Sequence, residues 1–159
     1  MSPSSIPAAA DARPPRRDLS PADYEALAAF RAALRRFLAF SETGAAAHGV
    51  TAQQHQALLA IRACPDPAGL SVGELAEVLL VRTHSAGELA GRLVQRRLAV
   101  RAASSEDRRR VLLTLTREGE RVLEAISRST LGKLKSNLPI WSEMLRALED
   151  LDLPPPRET

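Results

Sequence analysis

A chain of 159 residues, 45% of them hydrophobic, is sized for one domain around one core. Aromatics make up only 3%, so Leu, Ala and Val must fill that core, which favours packed helices over a large sheet. The formal net charge is a modest +3, but Arg92, Arg96, Arg97, Arg101, Arg108, Arg109, Arg110, Arg117 and Arg121 stand against only Glu106, Asp107, Glu118 and Glu120 in the same stretch, a concentration of charge that points to a polyanionic partner.

A merely solvated, arginine-rich surface is the competing explanation for that stretch. One cysteine excludes an intramolecular disulfide and fits a reducing, cytoplasmic location. No apolar run nears the roughly 20 residues that span a bilayer, so no membrane partner is expected. Residues 1–18 lack the apolar centre of a secretory signal, and their Pro, Ala, Ser and Arg content reads as a disordered arm. Residues 153–159, with three consecutive prolines, read as a frayed tail, leaving 19–152 as a single domain.

Helix one is predicted to open at Ser20, with Pro21 in the first turn where its missing N–H is harmless. Leu27, Phe30, Leu34, Phe37 and Leu38 form its apolar stripe, Arg31, Arg35 and Arg36 lie opposite, and it fades over 44–49. Thr51 and Gln54 have capping-box spacing and open helix two, whose apolar residues are Leu58, Leu59 and Ile61. The Pro- and Gly-bearing segment 64–69 breaks the chain. Ser71 and Glu74 repeat the capping box for helix three, with Val72, Leu75, Ala76 and Leu79 inward.

A turn is expected over 81–84, then helix four with Ala86, Leu89, Ala90, Leu93 and Val94 inward. Gly87 and Gly91 weaken that helix by about 1 kcal/mol each relative to Ala, so packing must compensate or the backbone must be closely approached there. Strands are expected over 98–102 and 111–115, the second with Val111, Leu113 and Leu115 on one face, and the charged loop lies between them. Thr116 caps a long helix carrying Val122, Leu123 and Ile126, continued by Leu131, Leu134 and Leu138. Pro139 starts a last helix with Ile140, Trp141, Met144, Leu145, Leu148 and Leu151 on its apolar face.

Two short amphipathic helices followed by a basic β-ribbon make a winged helix-turn-helix, so the expected fold is mainly α with a small β-wing. Burying the apolar face of helix four leaves Thr83, His84, Ser85, Glu88 and Arg92 exposed. Hydroxyls and an imidazole can read base edges in a major groove, and a carboxylate can accept from cytosine N4. Glu88 reads equally well as a partner of Arg92 four residues on, and Arg92 as a phosphate clamp or a surface ion pair. In the loop, Arg109 is the candidate for a narrow minor groove, against the reading of a solvated arginine held only by Asp107. Asp107 is read as orienting the loop, and Arg108 and Arg110 as reaching phosphates.

Several fixed spacings occur together here. They are Leu70-Ser71-Val72-Gly73-Glu74-Leu75-Ala76, then Arg92-Leu93, then Asp107-Arg108-Arg109 through Leu115-Thr116-Arg117-Glu118-Gly119. Over 20–151 the chain resembles the MarR family of bacterial winged-helix transcriptional regulators, with Asp107, Arg109, Leu115, Thr116 and Gly119 fitting the family's wing pattern. The resemblance implies a homodimer in which helices from 19–47 and 117–152 interlock as a dimerisation region. The lobe 51–116 would present one winged helix to each half of a palindromic operator, helix four entering the major groove and the wing arginine the minor groove. It also implies a regulator, most often a repressor, released by a small aromatic or anionic ligand bound between the two regions.

Two positions depart from the family pattern. Arg97 stands where a glycine usually turns the chain out of helix four, at a cost on the order of 1 kcal/mol if the backbone there is left-handed. Arg82 stands where a small residue usually caps helix four.

Tyr24, Arg36, His48 and His55 are the residues proposed for a ligand cleft. Phe30, Phe37 and Trp141 read as dimer core rather than as a ligand box. His48, His55 and His84 lack metal-ligand spacing, so no metal and no cofactor is expected. Cys64, with Arg62 its only neighbouring cation, reads as an ordinary loop-edge thiol. The expected function is DNA binding as a homodimer. The alternative is a dimeric winged-helix module that binds protein and not DNA, which would have little reason to keep Arg108, Arg109 and Arg110. Nothing carries an enzyme reading: there is no nucleophile elbow and no phosphate-cradling glycine loop.

Overall fold

The computed structural model describes residues 18–103 and 111–149. In chain order these form α1 (Pro21–Ala47), α2 (Ala52–Ala63), β1 (Leu70–Ser71), α3 (Val72–Leu79), α4 (Thr83–Gln95), β2 (Ala99–Ala103), β3 (Val111–Leu115), α5 (Arg117–Ser136) and α6 (Leu138–Glu149). The disordered arm and the frayed tail expected from composition lie outside the described residues, as does Leu151.

Side-chain caps set most helix starts. Ser20, Thr51 and Ser71 each accept from the amide three residues on, and the side chains of Asp23, Gln54 and Glu74 each reach back to the cap's own N–H. Each box satisfies two of the backbone donors that a helix N-terminus leaves orphaned. Thr116 caps α5 by accepting from the Gly119 amide at 3.0 Å. In α4, by contrast, the N-cap Arg82 makes no side-chain capping bond.

The sheet has the order β1-β3-β2, all antiparallel. β1 is a strand that the sequence did not reveal. It is two residues long and exists only because Leu70 and Ser71 pair with Leu113 and Leu112. Gly69 permits that approach: it sits at φ +115°, and a Cβ there would lie 2.6 Å from the Leu113 carbonyl oxygen. The first ribbon strand starts at Ala99 rather than 98, because the Leu98 amide still bonds the Leu93 carbonyl at the exit of α4.

The fully buried side chains Leu58, Leu75, Leu93, Leu113 and Ile126 come from α2, α3, α4, β3 and α5, so the core is centred on the helix-turn-helix. On β3, Val111, Leu113 and Leu115 alternate on one face, which is buried at Leu113, half-buried at Leu115 and exposed at Val111 at the far end of the ribbon, and Leu112 on the other face is buried as well. Two sequence expectations need correcting. The turn before α4 is shorter than 81–84, because Thr83 and His84 already belong to its first helical turn and the reversal is made by Leu80 in left-handed geometry. The stripe on α5 does not continue into Leu138. The helix ends at Ser136 with Asn137 as C-cap, Leu131 is exposed, and Leu138 begins α6.

The strain anticipated at Arg97 is present: its φ is +57°. Arg97→Gly is therefore expected to stabilise the chain by about 1 kcal/mol and raise Tm by a few degrees, read by thermal denaturation. An unchanged or lower Tm would mean that the side chain makes good its own strain. By contrast, Gly87 and Gly91 answer to no close backbone approach. A Cβ at either meets its nearest side-chain atom at 3.8 or 3.9 Å, an ordinary contact, so packing of Ala86, Leu89, Ala90 and Leu93 offsets their low propensity.

Candidate nucleic-acid interface

Burial of Ala86, Leu89, Ala90 and Leu93 turns the other side of α4 outward, and Thr83, His84, Ser85, Glu88 and Arg92 are all exposed on it. His84 Nε2 lies 3.3 Å from Glu88 Oε1, and Arg92 Nη1 lies 4.0 Å from Glu88 Oε2. The helical repeat thus stacks imidazole, carboxylate and guanidinium along one solvent-facing line. Exposed pairs of this kind are worth at most about 1 kcal/mol, so they order these side chains without holding them back from a ligand.

Glu88 divides two grooves. One, of about 420 Å³, lies between α4 and the ribbon and is lined by Val72, His84, Gly87, Glu88, Arg101 and Val111. The other, of about 370 Å³, lies between the start of α2 and α4, where Gln53, Gln56, Ser85 and Arg92 supply polar groups.

Arg101 joins the ribbon to α4, a contact that sequence reasoning missed. Its Nη2 donates to the Gly87 carbonyl at 2.9 Å, tying β2 to the exposed side of α4. The bond braces the ribbon against the helix beside it. The signal was hidden because Arg101 looked like one more surface arginine, and only its register opposite Leu113 turns it toward α4. The ribbon itself is paired as far as Ala103 and Val111. Asp107, Arg108, Arg109 and Arg110 lie outside the described residues.

The four residues proposed for a ligand cleft do not meet within the single chain. Tyr24 and His48 lie at opposite ends of α1, 24 positions and so about 36 Å apart. His48 is exposed, with Nδ1 3.0 Å from the Gly44 carbonyl oxygen. His55 is buried in α2, its Nδ1 3.5 Å from Ser41 Oγ. Arg36 instead lines a cavity of about 200 Å³ with Ala33, Phe37, Lys133, Asn137, Ile140 and Trp141. Phe37 and Trp141 meet edge to face there at 6.1 Å, joining α1 to α6. Cys64 is half-buried at the end of α2.

Burial lowers the pKa of His55 below the usual 6.5. The unfolded chain therefore takes up a proton at a higher pH than the folded one, and folding stability declines as pH falls from about 6.5 through the lower folded pKa. Urea denaturation between pH 7 and 5 should show this decline, and His55→Gln should flatten it.

Residues 48–110 match the MarR family profile, over the segment that carries α2 to α4, β2 and the charged residues 106–110. A solved MarR family transcription regulator shares the fold with a TM-score of 0.66 and 25% identity, over 79% of this chain and 87% of that one. The segment 48–110 thus carries the MarR family profile, and the chain is similar to solved MarR regulators over most of its length. That similarity supports a winged-helix transcription regulator, and the helix and ribbon described above fall within the matched segment. Two further solved structures share the fold. One is MepR from S. aureus, a mutant bound to an oligodeoxyribonucleotide, with a TM-score of 0.59 and 19% identity over 85% of this chain and all of that one. The other is CouR from Rhodococcus jostii, bound to p-coumaroyl-CoA, with a TM-score of 0.61 and 18% identity over 80% and 92%. No curated protein matches the sequence.

Proposed function

We propose that this chain is a homodimeric repressor that reads a palindromic operator and is released by a small aromatic or anionic ligand. The observation that carries the reading is the exposed line Thr83, His84, Ser85, Glu88 and Arg92 on α4, standing beside a ribbon that Arg101 holds in place. Two-fold symmetry would offer that line to two half-sites about one helical turn apart, 34–36 Å. Arg92 contacts phosphate, Thr83, His84, Ser85 and Glu88 read base edges, and Arg109 enters the minor groove with Arg108 and Arg110 on the backbone.

Dimerisation is supported by apolar surface that one chain leaves open. Leu27 and Leu38 on α1 are 51% and 53% exposed, and Ile140 on α6 is 59% exposed. α1 packs on both α5 and α6, so these side chains belong to one assembly of helices. Its partner is a second copy of the same helices, which also agrees with the reading of Phe30, Phe37 and Trp141 as dimer core. Release by ligand draws support from Arg36 and Lys133 beside the aromatic walls of the 200 Å³ cavity, and from a structural neighbour bound to a coumaroyl thioester. Among the described residues, no helix is long and apolar enough to cross a membrane.

A mobility-shift titration with duplex from the protein's own promoter tests the reading. Expected is a preference over unrelated duplex, with affinity falling on the order of a thousandfold between 50 and 200 mM salt if six or more phosphates are contacted. Binding that ignores both sequence and salt would remove DNA from the function and favour a protein-binding module.

A further inference from the structure

Arg96, the last residue associated with α4, makes the longest-range side-chain bonds among the described residues that hold that helix. Its Nη1 donates to the Gly49 carbonyl at 2.6 Å and to Gln54 Oε1 at 3.0 Å. Both acceptors belong to the joint between α1 and α2. Gly49 follows the end of α1, whose last turn carries no basic residue of its own. The guanidinium therefore brings positive charge to the negative end of the helix dipole from another element. Gln54 is buried, and the same Oε1 accepts the Thr51 amide at 3.0 Å as part of the cap of α2. Gly49 sits at φ +72°, with the Arg96 Nη2 atom 3.6 Å from where a Cβ would stand. One side chain thus gathers the exit of α1, the cap of α2 and the end of α4.

We propose that Arg96 is a positioning residue that sets the tilt of α4 relative to α1, and through it the half-site spacing that the dimer accepts. This rests on the DNA-binding reading above. α1 carries the open apolar face that meets the second copy, whereas Thr83, His84 and Ser85 lie at the far end of α4 from Arg96. α4 is 13 residues long, about 20 Å. A tilt of about 10° at the Arg96 end moves the opposite end by about 3.5 Å, close to the rise of one base pair, 3.4 Å. Hydrophobic packing of Ala86, Leu89, Ala90 and Leu93 is non-directional and keeps α4 in place without fixing its angle this closely. Two charge-assisted hydrogen bonds to fixed acceptors are directional.

The test compares wild type with Arg96→Met, which keeps the length of the stem and removes both bonds, and with Arg96→Lys, which restores a donor. Operators with the spacing between half-sites lengthened or shortened by one base pair are titrated beside the best spacing and beside a single half-site. Wild type should lose about tenfold for a one-base-pair change, Arg96→Met less than about threefold, and Arg96→Lys should recover part of the discrimination, with single half-site affinity within about twofold throughout. An unchanged spacing profile in Arg96→Met overturns the proposal. So does an even loss at every spacing and on the half-site, which would make Arg96 a phosphate contact.

A second measurement needs no DNA. Spin labels at Glu42→Cys on α1 and Ser85→Cys on α4, in a Cys64→Ser background diluted with unlabelled protein, report the distance between the two helices. That distribution should broaden or shift in Arg96→Met, and an identical distribution refutes the tether. If wild type binds no DNA, the functional reading falls while this measurement still decides the role of Arg96.

Discussion

Gly119→Ala is expected to lower the unfolding free energy by about 3 kcal/mol or more, making it the most damaging single-methyl change in the described chain. Gly119 is buried in the first turn of α5, and a Cβ on it would stand 1.9 Å from the Leu98 carbonyl oxygen and 2.9 Å from the Leu98 carbonyl carbon. Both of those atoms are backbone, so no rotamer change relieves the clash. The same Leu98 oxygen accepts the Thr116 amide at 3.1 Å, and Thr116 Oγ1 donates to the Arg97 carbonyl at 2.7 Å. Moving α5 away from Leu98 would break the contacts that join the exit of α4 to the start of α5. Chemical denaturation followed by circular dichroism reads the loss. A variant within about 0.5 kcal/mol of wild type would show that the two segments are not held this tightly.

Arg109→Ala is expected to have the largest effect on DNA binding of any single change in the charged loop. The wild-type side chain is proposed to enter the minor groove, where a narrow A·T-rich stretch strengthens the negative potential that attracts a guanidinium. Its loss should weaken operator binding by about 1–3 kcal/mol, or roughly one to two powers of ten, and lower the salt slope by about one. The dimer should persist, because the open apolar surface lies on α1 and α6. Titration at two salt concentrations, beside light scattering for the oligomeric state, checks both halves. Arg31→Ala, an exposed arginine on α1, serves as the control that leaves binding unchanged. Wild-type affinity in Arg109→Ala would take the loop arginine out of the mechanism.

The helices were legible in the chain because their determinants are local. The Thr51–Gln54 and Ser71–Glu74 boxes each lie within four residues, and the apolar residues of α4 repeat at helical spacing, which by subtraction also exposed Thr83, His84, Ser85, Glu88 and Arg92. The strained Arg97 was anticipated through the family resemblance, which implies a glycine at that turn, rather than from local pattern. The ligand cleft was not legible. Tyr24, Arg36, His48 and His55 were grouped by residue type, and a continuous 27-residue α1 separates the first from the third.

By itself, then, the sequence determined where the side-chain-capped helices α1, α2, α3 and α5 begin and which side of α4 meets solvent, because capping and periodicity act within a few residues. Tertiary structure alone decided the rest: that Leu70 and Ser71 become a strand, that Gly119 lies against the Leu98 backbone, and that Arg101 and Arg96 grip α4 from partners 14 and 47 positions away. A long side chain carries no local mark of the acceptor it will find, and a two-residue strand has no ladder until its neighbour arrives; both are products of packing rather than of propensity.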